Sequence, residues 1–297
     1  MAMVRSLWES FLETRRSSNL YKAFLRASAA SRILLFPSQM KQLQELDFVK
    51  KYSCEGDRFF FLTHKFYLSK KFTLAQRIQA AIDHYAYEER NRGALYHDLV
   101  YRSPGLVLWR QIADGRQYTL RLSASNDYRH EGDLSVLLFV DDTNVCRMSF
   151  SYVNTAVFGR GCDIAMFITR HQTERNDALG RFRTTFKQNS PQYFCLAALC
   201  GIAMVNGMRS LYAIKHDAQI AYEDRYADGF KNSYSNFWLK FGAEESDHQS
   251  YRLVIPLPLA PMSELTHRAR AFARRRNWAQ IIHDTRHAML EHSPVNK

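Results

Sequence analysis

The segment Tyr234-Ser-Asn-Phe-Trp-Leu-Lys-Phe-Gly242, YSNFWLKFG in one-letter code, is rich in aromatic residues and ends in a glycine. This pattern predicts the last turns of a helix, because glycine is the residue that most often stops one. After a short polar run, Tyr251-Arg-Leu-Val-Ile-Pro256 predicts a core strand. The two segments together predict a helix that leads directly into a strand near the C-terminal third of the chain.

The elements just before this pair form a second unit. Ser190 and Pro191 predict a helix start, with serine as the N-cap and proline at the first helical position. The helix is apolar almost all round as far as Val205, which predicts a central position. A short strand is expected at residues 211–214, and a helix at residues 224–239 ends in the opening segment.

Further upstream, the pattern changes from helical to extended near Gly115. Alternating or continuous apolar runs predict strands at residues 118–123, 134–140, 146–153 and 163–169. A polar segment, helical or irregular, is expected at residues 174–189. Before Gly115 we expect helices, at residues 7–25 and from Thr73, which forms a capping box with Gln76.

This order predicts an α+β protein with a helical N-terminal region at residues 1–114 and a second domain at residues 115–297. The second domain contains a mixed sheet and ends in a helix with a strongly basic side. That side carries Arg268, Arg270, Arg274, Arg275 and Arg276.

Composition restricts the class of protein. The chain has 297 residues, of which 46% are hydrophobic and 24% charged, with few Gly and Pro, so a large folded core is expected. No apolar run is long enough to cross a membrane, and the N-terminus lacks the pattern of a signal peptide. The five cysteines show no metal-binding spacing, which favours reduced thiols and no metal site. We expect a cytoplasmic protein, with peripheral attachment to the inner membrane as a second location.

The formal charge of +12 predicts anionic partners. Nucleic acid, an anionic membrane surface and an acidic carrier protein all fit. No helix-turn-helix, KH or RRM signature is present, so sequence-specific recognition of nucleic acid is not expected. The oligomeric state stays open.

The helix and strand at residues 234–257, with the order of elements before them, resemble the closing α-β pair of the GCN5-related N-acyltransferase (GNAT) superfamily. There an aromatic-Lys-x-Gly-Phe ending commonly leads into a final strand. The resemblance implies a GNAT-like mixed sheet at about residues 115–259 and the transfer of an acyl group.

Over most of its length the chain also resembles the VirK/YbjX family of Gram-negative bacterial proteins. The residues that carry this resemblance are His84-Tyr85, Glu131-Gly132-Asp133-Leu134, Phe150-Ser151-Tyr152, Ile168 with Gln172, Ser190-Pro191, Phe237-Trp238 and Arg268-Ala-Arg270. The family is associated with envelope stress, virulence and resistance to antimicrobial peptides. Its usual Ile-Gly-x-x-Gln-Gly is Ile168-Thr-Arg-His-Gln-Thr173 in this chain.

The GNAT resemblance places the acyl donor at the turn after the fourth predicted strand and at the next helix. The corresponding residues are Thr169, Arg170, His171, Gln172, Lys187 and Ser190. Because the turn lacks glycine, side chains rather than backbone N–H groups would meet a phosphate. The donor would then be an acyl-phosphopantetheine co-substrate, on acyl carrier protein, coenzyme A or alternatively tRNA, with no tightly bound cofactor. The competing interpretation is a set of solvated loop charges.

Three residues are candidates for proton transfer. His216 follows the strand at residues 211–214, at the end where α/β sites gather. Glu131 precedes a buried strand and could act as a general base, or it could pair with Arg129 or cap a turn. His84 lies at the flank of an apolar helix face, where a hydrogen-bonded structural histidine is the alternative.

The resulting hypothesis is an acyltransferase that moves an acyl group from a carrier onto an amine or hydroxyl. The alternative is a non-enzymatic envelope-stress protein that docks on a membrane or a partner through a basic surface. Binding of single-stranded RNA through aromatic and basic groups is a third hypothesis.

Overall fold

A computed structural model describes residues 35–52, 66–125, 129–187, 189–258 and 268–292. The helix expected at residues 7–25 lies outside these ranges. The first described helices are α1 Pro37–Glu45, α2 Asp47–Tyr52, α3 Leu74–Asn91 and α4 Ala94–Tyr101. The predicted capping box at the start of α3 is confirmed: the Thr73 hydroxyl accepts from the Gln76 amide, and the Gln76 side chain accepts from the Thr73 amide.

The strands form one sheet in the order β1-β2-β3-β4-β5-β6-β8-β7. Their bounds are β1 Leu106–Ala113, β2 Arg116–Ala124, β3 Leu134–Val140, β4 Thr143–Asn154, β5 Ile164–Thr173, β6 Ser210–Ile214, β7 Glu244–Glu245 and β8 Ser250–Val254. Only the β5–β6 pair is parallel among the described strands. The chain is therefore an α+β protein with a mixed, mostly antiparallel sheet.

Strand β1 is a difference from the prediction, since it lies within the region expected to be helical. It forms a hairpin with β2 through Asp114 and Gly115, which both have positive φ (50° and 68°). A two-residue turn of this kind matches the twist of the flanking strands. The Asp-Gly pair is therefore the local signal for a hairpin that begins before residue 115.

Five α-helices are described after β5: α5 Asp177–Thr185, α6 Pro191–Val205, α7 Ala227–Phe230, α8 Asn236–Leu239 and α9 Arg268–Glu291. Helix α6 is buried along nearly its whole length, as predicted. The single helix expected at residues 224–239 is interrupted, because a π-helical turn, Lys231–Ser235, separates α7 from α8. Such turns widen a helix locally and are frequent at functional sites.

Helices cover both faces of the sheet. Helices α6 and α9 pack on one face, in the larger core that contains Phe150, Met166 and Leu196. Helices α1, α2 and α3 cover the other face, in a second core around Phe167 and Tyr212. Strand β5 belongs to both cores, since Met166 and Phe167 point to opposite faces.

Helix α9 packs closely against α6 because α6 has a glycine at the contact. A Cβ added to Gly201 would lie 2.9 Å from both Cβ and Cγ2 of Thr285 and 3.1 Å from the backbone oxygen of Ile282. Thr285 is fully buried. Only glycine therefore allows this spacing without displacement of one of the two helices.

The far edge of the sheet is short and acidic. Strand β7 consists of two exposed residues, Glu244 and Glu245, and pairs with β8. Lys215 forms an ion pair with Glu245 at 3.1 Å. The edge therefore offers little backbone for further pairing.

The described cysteines, Cys146, Cys162, Cys195 and Cys200, are free thiols, and Cys54 lies outside the described ranges. None of the described helices has the length and apolarity needed to cross a membrane. Across the same residues, no three His, Cys, Asp or Glu side chains are grouped so as to hold a metal ion.

Candidate functional site

The two parallel strands separate beside Thr169. Strands β5 and β6 pair through Met166, Phe167 and Ile168, and β6 then ends at Ile214 while β5 continues along β4 to Thr173. A bulge lies at the separation point, because Thr169 has no register partner on β4. The β5 backbone beyond Ile168 therefore turns away from β6.

Aromatic side chains fill the inner part of this separation. The His171 ring lies 4.5 Å from Tyr234, 4.7 Å from Phe237 and 5.3 Å from Trp238, measured between ring centroids. These three rings come from the π-helical turn and from α8. The segment YSNFWLKFG, residues 234–242, thus supplies the side chains that lie between the separated strands.

Outside these rings lies a cavity of about 640 Å³. It lies between the end of β5, the start of α6, helix α5 and the π-helical turn. Its described lining consists of His171, Gln172, Thr173, Arg175, Leu179, Arg183, Ser190, Gln192, Tyr193, Tyr226, Gly229, Phe230, Asn232, Ser233, Tyr234, Phe237 and Lys240. A volume of this size suits a small-molecule ligand.

The cavity wall carries an excess of positive charge. Arg175, Arg183 and Lys240 line it and are exposed, and none of the three has an ion-pair partner among the described residues. No aspartate or glutamate belongs to the described lining. Cations left unneutralised around a concave surface favour an anionic ligand.

The start of α6 meets this cavity with polar side chains, and two of its first three residues have no free backbone N–H group. Pro191 has no N–H, and the Tyr193 amide donates to the Ser190 carbonyl at 3.0 Å. The Ser190 hydroxyl donates to the Gln192 side-chain oxygen, and the Gln192 side-chain nitrogen Nε2 donates to the Thr173 hydroxyl. An anion in the cavity would therefore be held by Arg175, Arg183 and Lys240.

His171 lies at the inner end of the cavity. Burial lowers its pKa to about 4, and a hydrogen bond to the backbone of Ser233 opposes this effect in part. The imidazole is therefore neutral at physiological pH. Its Nε2 atom is buried and has no hydrogen-bond partner among the described residues.

Thr169, Arg170 and Glu131 form a separate buried cluster next to the strand separation. Arg170 and Glu131 form an ion pair, and the Thr169 hydroxyl donates to the Glu131 carbonyl. The Gln219 side chain donates to Glu131 at 3.3 Å. These three predicted site residues do not line the cavity, and Glu131 is engaged by Arg170.

A glycine places this cluster against β4. Gly132 has φ +136°, and a Cβ there would lie 2.8 Å from the Phe150 amide nitrogen. The next residue, Asp133, is buried and accepts hydrogen bonds from the hydroxyls of Tyr67 at 2.6 Å and Tyr85 at 2.9 Å. The carboxylates of Glu131 and Asp133 are therefore both buried, and both accept hydrogen bonds from other side chains.

The two remaining histidine candidates lie outside the cavity wall. His216 is half-buried, and its Nδ1 lies 2.7 Å from the hydroxyl of Ser235, the last residue of the π-helical turn. His84 is fully buried. Its Nδ1 accepts from the Tyr152 amide at 3.3 Å, and its Nε2 lies 3.4 Å from the Tyr101 hydroxyl.

The position of His84 has a structural reason. The β3–β4 ladder ends where Leu134 pairs with Phe150, so none of the described strands lies beside the next part of β4 on that side. Helix α3 takes the place of the missing strand: His84 accepts from one amide of β4, and Asp83 accepts from the Asn154 amide at 2.9 Å. His84 therefore caps a strand edge.

A further buried polar group lies where α3 meets α4. Glu88 is fully buried, and burial raises its pKa to about 7, against the opposing effect of the nearby Arg92 guanidinium. The Nε2 atom of His97 lies 3.7 Å from the Glu88 carboxylate. Burial lowers the pKa of His97 to about 4. This group does not line the cavity.

Of the predicted donor-binding residues, the cavity brings together His171, Gln172 and Ser190. Lys187 is exposed and lies outside its described lining. The cationic residues that do line it were not predicted individually. Arg175 and Arg183 belong to the polar segment before α6, and their only signal was a set of three arginines, which also includes Arg181, in a helix-length insertion.

Comparisons with known proteins agree with the resemblance seen in the sequence. YbjX of Escherichia coli (strain K12), named an uncharacterized protein, is 25% identical over 223 residues, which cover 72% of this chain and 66% of that relative. The chain thus spans just under two thirds of the relative's length. No solved structure matches. Residues 17–286 match the family described as "Protein of unknown function (DUF535)". Since that match covers most of the sequence, the chain belongs to the DUF535 family.

Proposed function

We propose that the protein transfers an acyl group from a phosphopantetheine thioester to an amine or hydroxyl acceptor. The observation that carries this proposal is the separation of β5 from β6 beside Thr169, with a cation-lined cavity directly outside it. A phosphopantetheine arm combines one phosphate with a long, uncharged chain. The exposed cations suit the phosphate, and the aromatic inner wall suits the chain and the acyl group.

The order of elements supports the same proposal by analogy. In GNAT-type folds, antiparallel strands precede a helix-linked parallel pair, and the donor arm lies where that pair opens. Here α5 and α6 lie between β5 and β6, the one parallel pair of the described sheet, and a bulge lies at the opening. Because aromatic rings fill the inner part of this opening, the donor arm would lie in the cavity outside them. A shared fold is an analogy, so the site itself has to carry the proposal.

The chemistry needs one bond made and one broken. The acceptor nitrogen or oxygen attacks the thioester carbonyl carbon, a C–N or C–O bond forms, and the C–S bond breaks. The acceptor loses one proton and the departing sulfur gains one, so the reaction needs no external oxidant or reductant. Arg175, Arg183 and Lys240 would hold the donor phosphate, and Phe237 and Tyr193 would lie along the arm.

Binding can be tested with a matched pair of ligands, 4′-phosphopantetheine and pantetheine, by isothermal titration calorimetry. The pair differs only in the phosphate, so we expect the phosphorylated ligand to bind about tenfold tighter or more, as for a charge-assisted contact. Arg183→Glu should remove this difference. Arg286→Glu, at an exposed position of α9, is the control and should preserve it. Equal affinity for both ligands in the unaltered protein would refute the phosphate site.

Transfer itself can be followed by mass spectrometry. The protein is incubated with an acylated carrier protein or acyl-coenzyme A and a mixture of amine and hydroxyl acceptors. Loss of the acyl group from the carrier, with an equal gain on an acceptor, is the expected result. Acyl loss to water alone would argue against transfer.

A second candidate function rests on a different surface. On α9, Phe272 is 63% exposed, and the exposed Arg274 and Arg276 follow it. An exposed aromatic residue beside cations suits attachment to an anionic membrane surface. Binding to vesicles that contain anionic lipid should weaken in the Arg274→Ala/Arg276→Ala double variant, and binding that is unchanged would reject α9 as the contact.

A further inference from the structure

The mouth of the cavity carries cations beyond those that line its wall. Lys187 follows the end of α5, and Lys231 lies in the π-helical turn between two residues of the cavity lining. Both side chains are exposed, and neither has an ion-pair partner among the described residues. Neither belongs to the described lining, so a phosphate held by the lining cations leaves both lysines available to something outside the cavity.

The side chains around the mouth have charges of one sign. Residues 183–190 contain two cationic residues and no acidic one, and residues 229–243 also contain two cationic residues and no acidic one. Asp228 and Glu244 lie just beyond the ends of the second segment, so its acid-free part is the part that lines the cavity. A surface of this kind attracts an acidic partner and raises the rate of its association.

Two apolar side chains are exposed beside these cations. Tyr226 lines the cavity and is 55% exposed, and Leu239, the residue before Lys240, is 49% exposed. Leu239 does not belong to the described lining, so a small ligand inside the cavity would leave it uncovered. Aromatic and apolar side chains within a charged rim are typical of protein interfaces. The mouth therefore fits a protein partner as well as the ligand inside.

The cavity wall is a poor fit for the diphosphate of coenzyme A. Backbone N–H groups at a helix start commonly hold such a group. At the start of α6, Pro191 has no N–H, and the Tyr193 amide donates to the Ser190 carbonyl. The first turn of α5 carries Asp177, whose negative charge opposes an anion there. The described wall therefore suits an arm with a single phosphate better than a nucleotide.

Resting on the proposed function, we infer that the acyl donor reaches the cavity on an acidic carrier protein that docks at the mouth. One phosphodiester joins the phosphopantetheine arm of such a protein to a serine. The arm enters the cavity past Arg183 and Lys240. The acidic face around the serine contacts Lys187 and Lys231, and Leu239 supplies an apolar contact. After acyl transfer the arm ends in a free thiol, and the carrier dissociates with it.

Helix α5 offers a control on a different side. Leu179 and Arg183 are four residues apart, and both line the cavity. Arg181 and Thr185 are also four apart and therefore share another side of the helix. That side faces the β1–β2 turn, because the Thr185 hydroxyl donates to Asp114 at 2.7 Å. Arg181 is exposed, so reversal of its charge changes the net charge of the protein and leaves the mouth unaltered.

Isothermal titration calorimetry can compare a holo acyl carrier protein with its arm alone, 4′-phosphopantetheine. We expect the carrier to bind at least about tenfold tighter at low ionic strength, and salt to reduce this advantage. Lys187→Glu/Lys231→Glu should weaken carrier binding about tenfold and leave 4′-phosphopantetheine within about twofold, since both lysines lie outside the lining. The control Arg181→Glu/Arg286→Glu makes the same change in net charge and should preserve both affinities.

Each contrary result has a separate meaning. A carrier that binds no more tightly than 4′-phosphopantetheine overturns the docking surface, while the phosphate site stands. Equal loss of carrier binding in the two double variants reduces the effect to net charge and overturns the docking surface as well. Equal affinity for 4′-phosphopantetheine and pantetheine refutes the proposed phosphate site itself, and the carrier inference fails with it.

Turnover supplies a second measurement. With the same acyl group on each donor, kcat/KM should be at least about tenfold higher for the acylated carrier than for acyl-coenzyme A. Lys187→Glu/Lys231→Glu should raise KM for the carrier and leave kcat unchanged, because it alters docking alone. Equal kcat/KM for the two donors would overturn the carrier inference, while acyl transfer would stand. Absence of transfer from either donor would refute the proposed function.

Discussion

The contact between α6 and α9 allows a quantitative test, because the same substitution can be made at two helical glycines with different expected effects on the free energy of unfolding. Gly201→Ala places a methyl group 2.9 Å from Thr285 and 3.1 Å from a backbone oxygen. Gly180→Ala, within α5, places the same group where no atom lies within 4 Å.

The magnitudes follow from two effects. Alanine favours a helix over glycine by about 1 kcal/mol, and this gain applies at both positions. Overpacking of a tight contact costs about 1–3 kcal/mol and applies only at Gly201. We therefore expect Gly180→Ala to raise the free energy of unfolding by about 0.5–1 kcal/mol. Gly201→Ala should leave it unchanged or lower it by about 2 kcal/mol.

Urea unfolding followed by circular dichroism measures both variants. The two variants share the gain in helix preference, so the difference between their free energies of unfolding gives the cost of the clash at Gly201, about 1–3 kcal/mol. Adding Thr285→Ala to Gly201→Ala removes Cγ2 and should recover part of the loss, which a double-mutant cycle detects as a coupling of at least about 0.5 kcal/mol. Equal stabilisation by both alanines, with no coupling to Thr285, would refute the close packing of α6 on α9.

Three further predictions concern buried polar groups. Burial raises the pKa of Glu88 to about 7 from an unfolded value near 4.5, so the free energy of unfolding should fall by about 3 kcal/mol as pH rises from 4.5 through 7. Glu88→Gln should flatten this dependence in urea unfolding at several pH values, and an unchanged slope would contradict the assignment. Arg170→Met leaves the buried Glu131 carboxylate without its ion-pair partner, with the 3.3 Å hydrogen bond from Gln219 remaining, at a cost of about 3–5 kcal/mol, and adding Glu131→Gln should restore much of it. His84→Ala removes the acceptor for the Tyr152 amide, at a cost of about 1–3 kcal/mol, and should speed hydrogen exchange of that amide; exchange as slow as before would argue against the strand-edge cap.

Local patterns were enough to predict much of the fold. The capping box at Thr73, the buried helix from Pro191 and the strands after Gly115 all depend on spacing within one segment, and all are present. Strand β1 was missed because its second half is exposed and its apolar spacing resembles that of the preceding helices. The interruption of the helix before Leu239 has no local signal, since neither proline nor a glycine pair marks the π-helical turn.

The site was harder to predict, because its properties arise between segments. His171 was expected at the donor site, and the cavity does include it. Its unpartnered nitrogen depends on Tyr234, Phe237 and Trp238, which are distant in sequence. In the same way, Glu131 has its partner on another strand rather than at its neighbour Arg129. Pairings of this kind require the three-dimensional fold.

The two-residue strand β7 bears on how the protein behaves at high concentration. A second copy of the chain that approached this side could form few backbone hydrogen bonds, because β7 is only two residues long. The carboxylates of Glu244 and Glu245 would also repel the same carboxylates of that copy. A continuous sheet between two molecules is therefore not expected to form at Glu244 and Glu245. We therefore expect this side of the molecule to resist edge-to-edge aggregation, because β7 does not present a long run of unpaired amides.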